Sequence, residues 1–204
     1  MKNNTPVMKD LLRTLPLLAL ALIPFQPLMS QAFEEGDNVI GLGLGIGGHY
    51  GAYASYTSQT PALGLYYEHG FKQLGPGVLG LGGFLGYKSL SYRSRYAWWG
   101  PSFEYDWRWT YLIIGARGAY HYNDWHGLDA LDTYGGLMLS YNSVKWVDNT
   151  RYPVGFDPAY RLKGSSLGLT GFLGARYYFT PNFGAQGEVG YGISILSLGL
   201  VYKL

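Results

Sequence analysis

These 204 residues contain no cysteine. A chain without thiols forms no disulfide and offers no thiolate to a metal or a lipid anchor, so its stability has to come from non-covalent closure. Charge is scarce too, at 14% of residues with a formal net charge of +2. That balance provides no basic field for nucleic acid, and no nucleic-acid partner is expected. Beyond residue 32 no segment runs 18 apolar residues without interruption, which excludes helical membrane spans from that part of the chain. Glycine and tyrosine, by contrast, are abundant, with 31 and 20 residues, none of them earlier than Gly36. Tyr and Trp in such number suit membrane interfaces, where an amphipathic ring sits half in water.

The first 32 residues differ from everything that follows. Lys2, Lys9 and Arg13 precede an apolar run from Leu15 to Met29, and Ser30, Gln31 and Ala32 form a small-x-small site. This layout predicts a secretory signal peptide cleaved after Ala32. A membrane-anchoring helix is the rival reading, but Pro16, Pro24 and Pro27 interrupt the run, and it is already shorter than a spanning helix needs. The expected organisation is therefore a signal peptide over 1–32 and a single domain over 33–204. Removing the leader takes three positive residues and Asp10 away, bringing the formal charge of +2 to zero.

After Gly36, large apolar residues alternate with Gly or polar ones, as in Ile40, Leu42, Leu44 and Ile46 against Gly41, Gly43, Gly45 and Gly47. A period of two describes a strand with one greasy face. About eight such segments follow one another, at 38–48, 62–71, 78–90, 103–122, 133–144, 166–180, 184–192 and 196–204. In the second, Leu63, Leu65 and Tyr67 share a face opposite Tyr66 and Glu68. In the fourth, Phe103, Tyr105, Trp107 and Trp109 alternate with Glu104, Asp106, Arg108 and Thr110, whereas later Leu112, Ile114, Ala116 and Tyr120 form the apolar set. That change of parity near Tyr111 predicts a bulge, or a strand that leaves the membrane there.

Only a closed antiparallel barrel lets a sheet face lipid without unpaired backbone groups. The fold class is therefore all-β, an eight-stranded antiparallel up-and-down transmembrane barrel. An even strand count makes the connections 72–77, 123–132 and 180–183 periplasmic, and leaves the longer ones, 49–60, 91–102 and 145–165, outside. A soluble lipocalin-like barrel fails on sidedness, because the aliphatic faces would point outward.

Three stretches carry a family resemblance: Ile113 to Tyr122, Leu131 to Asn142, and Gly174 to Gly184 with Glu188 to Gly192. With them the chain resembles small outer-membrane β-barrel proteins of the porin-like superfamily, the OmpA/OmpX-type eight-stranded barrels, particularly versions common in Bacteroidetes. The resemblance covers most of residues 38–204 and implies location in the outer membrane of a Gram-negative envelope. It implies outer-membrane lipid as surroundings and recognition of the C-terminal strand by the assembly machinery. Such barrels commonly end in Phe, whereas this chain ends in Leu204, with the alternation intact up to Tyr202. No periplasmic cell-wall-binding domain is expected after Leu204.

Chemistry is sparser than architecture. By parity Glu68, Arg117, Arg176 and Glu188 point into the lumen, and folding back the 180–183 hairpin puts Arg176 diagonal to Glu188. They constitute either a functional site, as a selective constriction or a place that handles protons or ions, or a set of side chains that fills a narrow interior, where charges must be paired. The second meaning is the expected one, with Tyr66, Tyr178 and the two arginines taking the space left by Gly41, Gly43, Gly45, Gly47, Gly80 and Gly82.

The histidines, His49, His69, His121 and His126, show no ligand spacing, so no metal is assigned, and no cofactor is implied. Nothing resembles a nucleophile elbow, and no catalytic residue is assigned. Aromatics crowd the second long connection, at Tyr92, Tyr96, Trp98, Trp99, Trp107 and Trp109. The expectation is an outer girdle on a strand rising above the membrane; the functional reading is a stacking platform for an extracellular ligand, helped by Arg93, Arg95 and Arg108. A non-enzymatic envelope or surface-interaction protein is the leading conclusion, and a narrow porin-like channel or transporter for small solutes the rival.

Overall fold

The computed structural model describes residues 32–48, 58–96, 103–150 and 161–204. The predicted leader up to Gln31, together with Trp98 and Trp99, lies outside the described residues. The strands are β1 (Asn38–Ile46), β2 (Ser58–Gln59), β3 (Ala62–Leu74), β4 (Gly77–Tyr96), β5 (Phe103–His121), β6 (Leu131–Asp148), β7 (Arg161–Tyr178), β8 (Phe183–Gly190) and β9 (Leu196–Lys203). All pairings are antiparallel. Sequence neighbours lie side by side, and β1 bonds to β9 while β4 bonds to β5. The outcome is the expected closed ring of eight strands, with β2 as a two-residue continuation of β3 whose register against β4 slips by one across Thr60 and Pro61.

Alternation decides which way each strand faces. In β1 the inward Val39, Gly41, Gly43 and Gly45 are buried while Ile40, Leu42, Leu44 and Ile46 are exposed. The same holds round the wall for Leu65, Leu85, Ile114, Leu139, Leu169, Leu173 and Leu200, all exposed. A continuous apolar outer surface of this kind is stable only against lipid. Tyr67, Tyr120, Tyr177 and Tyr202 edge it at the short-turn end, and Tyr87, Tyr141 and Tyr191 at the long-loop end, the two rims where amphipathic rings belong.

The fourth predicted segment is corrected in part. β5 pairs with β4 from His121 to Phe103, and with β6 from His121 to Trp107, without a register shift. There is no bulge at Tyr111. The chemistry of the outward face changes instead, from Leu112 to Thr110, Arg108 and Asp106, so the strand passes out of the apolar band with its parity unchanged. Strands β4 to β7 all rise beyond β1, β8 and β9, and form a curved sheet above one side of the ring. A register shift does occur between Gly70 and Lys72 in β3. It leaves Phe71 as the extra residue near the short-turn end.

Two segments enter the lumen from its ends. At the short-turn end Phe33 is buried and Asp37 holds Lys203 Nζ at 2.9 Å, while Gly36 and Asp37 exchange backbone hydrogen bonds with Gly70 at 2.8 Å. At the other end the connection from Tyr191 to Ile195 folds inward, burying Ile193 against the cluster of Tyr66, Phe84, Ile113, Met138 and Phe172. The sequence reading gave this connection no role.

Gly82 tests the closeness of the wall. A Cβ built there runs into the Tyr67 carbonyl oxygen of the neighbouring strand, whereas at Gly83 the nearest atom is 3.8 Å away. Gly82→Val is expected to cost about 1–3 kcal/mol through overpacking and to weaken or abolish the heat-shifted gel band of the folded barrel. Gly83→Val, on the outer face, is expected to keep that band.

Candidate functional site

Five strands deliver polar side chains to two adjoining levels of the interior, each from inward positions. Glu68 comes from β3, Arg117 and His121 from β5, Asp132 from β6, Arg176 from β7, and Gln186 and Glu188 from β8. All are buried. Glu68, Arg117, Arg176 and Glu188 are buried on the inner face, and their ion pairs, Arg176 with Glu68 and Arg117 with Glu188, cross the lumen.

In the layer nearer the short turns, Arg176 forms an ion pair with Glu68 across the barrel and donates from Nε to Gln186 Oε1 at 3.0 Å. Its Nη1 lies 3.6 Å from Asp132 Oδ2. Gln186 is the residue opposite Arg176 in the β7–β8 register, and Glu188, two residues on, is diagonal to it as expected. His121 joins the carboxylates, with Nδ1 2.8 Å from Asp132 Oδ1 and Nε2 3.2 Å from Glu68 Oε1. Both partners can only accept when ionised, so this geometry is fully satisfied with a proton on each ring nitrogen. Phe33 closes the layer from below, stacked on His121 at 4.1 Å.

The layer above is built round Arg117 and Glu188, joined by a two-pronged contact whose Nη1 to Oε2 arm is 3.2 Å. Tyr134 donates to Glu188 Oε1 at 2.9 Å, and Tyr66 shares a 3.2 Å hydrogen bond with Ser197. The guanidinium of Arg117 lies between the rings of Phe172 and Tyr66, at 4.0 and 4.9 Å. Arg176 lies 4.5 Å from the Tyr134 ring. With His121 counted as a cation, three cations and three carboxylates balance, which is how a low-dielectric interior tolerates such groups.

The expected filling of the glycine side of the lumen is seen at Tyr66, whose ring lies over Gly41 and Gly43. His121 and Asp132 were missed. His121 shares the inward parity of Arg117 four residues away, and Asp132 is opposite Arg176, but the sequence reading placed Asp132 in a turn.

The aromatic patch is a second candidate, and its expected orientation is corrected. Trp107 and Trp109 have the parity of buried Ile113 and Arg117, so they lie on the inner face of the rising sheet and not in an outer girdle. Trp107 is the hub, stacked on Tyr92 at 5.6 Å and edge-on to Trp109 and Trp146 at 6.3 and 6.4 Å. The indole Nε1 atoms of Trp107 and Trp146 are buried without a hydrogen-bond partner. Arg93 and Arg108 are on the opposite face, where Arg93 pairs with Asp106 at 3.0 Å, so they do not assist the rings. Tyr96 is the last residue of β4; Trp98 and Trp99 are outside the described residues.

No protein-family model and no curated protein matches the chain. Among solved structures it is similar to Ail, the attachment invasion locus protein of Yersinia pestis, at 16% identity over 83% of this chain and 99% of that one, with a TM-score of 0.48. It is likewise similar to the N-terminal β-barrel domain of Pseudomonas aeruginosa OprF, at 14% identity over 84% of this chain and 100% of that one, with a TM-score of 0.48.

Removing one partner of a buried pair leaves a bare charge, at a cost of about 3–5 kcal/mol. Urea unfolding of the vesicle-inserted barrel should show that loss for Arg176→Met and for Glu68→Leu. The double variant should lose clearly less than the sum, because each single change strands the other charge.

Proposed function

We propose that this chain is a non-enzymatic outer-membrane protein, exported by cleavage after Ala32, whose lumen is closed to solutes and whose contacts are made by the sheet that rises beyond the membrane. The observation that carries the reading is the two-layer network, in which Glu68–Arg176 and Arg117–Glu188 span the lumen and the adjoining rings fill what remains. An eight-stranded interior is just wide enough for its own side chains, and here those side chains meet their partners across it.

The apolar wall and its two aromatic rims support lipid as the surroundings. The amphipathic β9 supports recognition of the C-terminal strand during assembly. The inner aromatic face supports contact with an extracellular ligand that has flat faces, since such faces stack on exposed ring surface.

A narrow transporter is the competing function, and conductance separates the two. The refolded barrel in a planar bilayer is expected to be electrically silent, while Arg117→Ala combined with Arg176→Ala should produce discrete openings. Reproducible openings from the unaltered protein would replace the closed-lumen reading with transport.

A further inference from the structure

The ring is not equally tall all round, and the step in its wall lies beside β7. Pairing with β8 runs only as far as Phe172 opposite Gly190, with one more bond from Tyr191 N–H to the Gly171 carbonyl at 3.3 Å. Beyond that point β8 ends, and the chain turns inward through Gly192 and Ile193. Among the described residues, β7 from Arg161 to Thr170 pairs with β6 alone. This open edge does not stand clear of the membrane. Leu167 and Leu169 point outward from it, 77% and 71% exposed, and Leu167 is opposite Tyr141 at the rim of the apolar band. Backbone groups left open at that depth are costly unless something hydrogen-bonds to them.

A cavity of about 300 Å³ opens at this edge, between Ser166–Thr170 of β7 and the inward turn, and reaches Ser140, Asn142 and Met138 inside. Its polar lining includes hydroxyls and an amide but no charged group. Asn142 is 7% exposed; its Oδ1 accepts from Ser140 at 3.2 Å, whereas its Nδ2 has no hydrogen-bond partner among the described residues. Directly below, on the outer wall, an apolar groove of about 540 Å³ passes over Gly135, Gly171, Leu173, Val189 and Ile195. Cavity and groove adjoin where Thr170 meets Gly171 and Gly190 meets Tyr191.

We propose that this notch binds one acyl amphiphile from the surrounding lipid leaflet. Its chain lies in the glycine-floored groove, and its uncharged hydroxyl or amide head enters the cavity to meet Asn142 Nδ2, Ser166 and the open edge of β7. A carboxylate or phosphate head is excluded, because no cation lines the cavity to compensate it. The site depends on the membrane placement proposed above, but on neither the aromatic face nor the closed lumen.

Native mass spectrometry of the folded barrel, titrated with 1-monododecanoylglycerol in detergent micelles, tests this. The expected result is a single saturable adduct whose apparent affinity falls about tenfold in Asn142→Leu, which removes the donor, and in Gly171→Leu, which fills the groove. Dodecanoate should form no such adduct. A Cβ at Gly171 meets nothing closer than 3.8 Å, so that variant is expected to fold; Ser166→Val provides a third reading of the cavity if Asn142→Leu loses its heat-shifted band. Adducts that never saturate, that persist equally in the folded variants, or that form as well with dodecanoate would overturn the proposal. The band shift reports folding separately, so failure of the barrel itself is distinguishable from failure of the site.

Discussion

A sheet bathed in lipid has no water to satisfy its backbone, and the rest of this molecule follows from that constraint. Every strand needs a neighbour on both sides, so β1 must find β9 and β4 must find β5, and the sheet closes. Closure with eight strands makes a narrow interior. Inward side chains from opposite walls then come within hydrogen-bond reach of each other, and polar residues there have no solvent to retreat to. The crossed pairs Arg176–Glu68 and Arg117–Glu188, with His121 set between Glu68 and Asp132, are how this sequence meets that second demand.

The outer half of this arrangement was legible in the sequence. A period of two states which residues share a face, and an apolar set repeated about eight times states that the shared face looks outward. The four lumen charges could be named for the same reason. Their partners could not, because parity gives a direction and says nothing about what stands across the barrel, which depends on the stagger of all the strands together. Asp132 shows the difficulty. It lies next to a turn in sequence, yet the register of β6 against β7 sets it opposite Arg176.

Misreadings came where the apolar band ends. Along β5 the large residues change sides near Tyr111, and a sequence rule that equates large with outward takes this for a break in the strand. The strand is unbroken; the surroundings change from lipid to something more polar, and the large rings of Trp107 and Trp109 then belong inside. Similarly, the short stretch from Tyr191 to Ile195 looks like a plain connection, but turning inward it buries Ile193 and leaves the edge of β7 open. Along that edge, among the described residues, β7 pairs with β6 alone.

The central claim is that the arginines of the lumen are held in dry, partnered positions. Side-chain NMR of arginine in the refolded barrel reads this directly, through exchange of the Nε–H protons with water. The account predicts Arg117 and Arg176 to exchange far more slowly than exposed Arg108. Exchange of Arg117 and Arg176 as fast as that of Arg108 would mean a water-filled lumen and would contradict it.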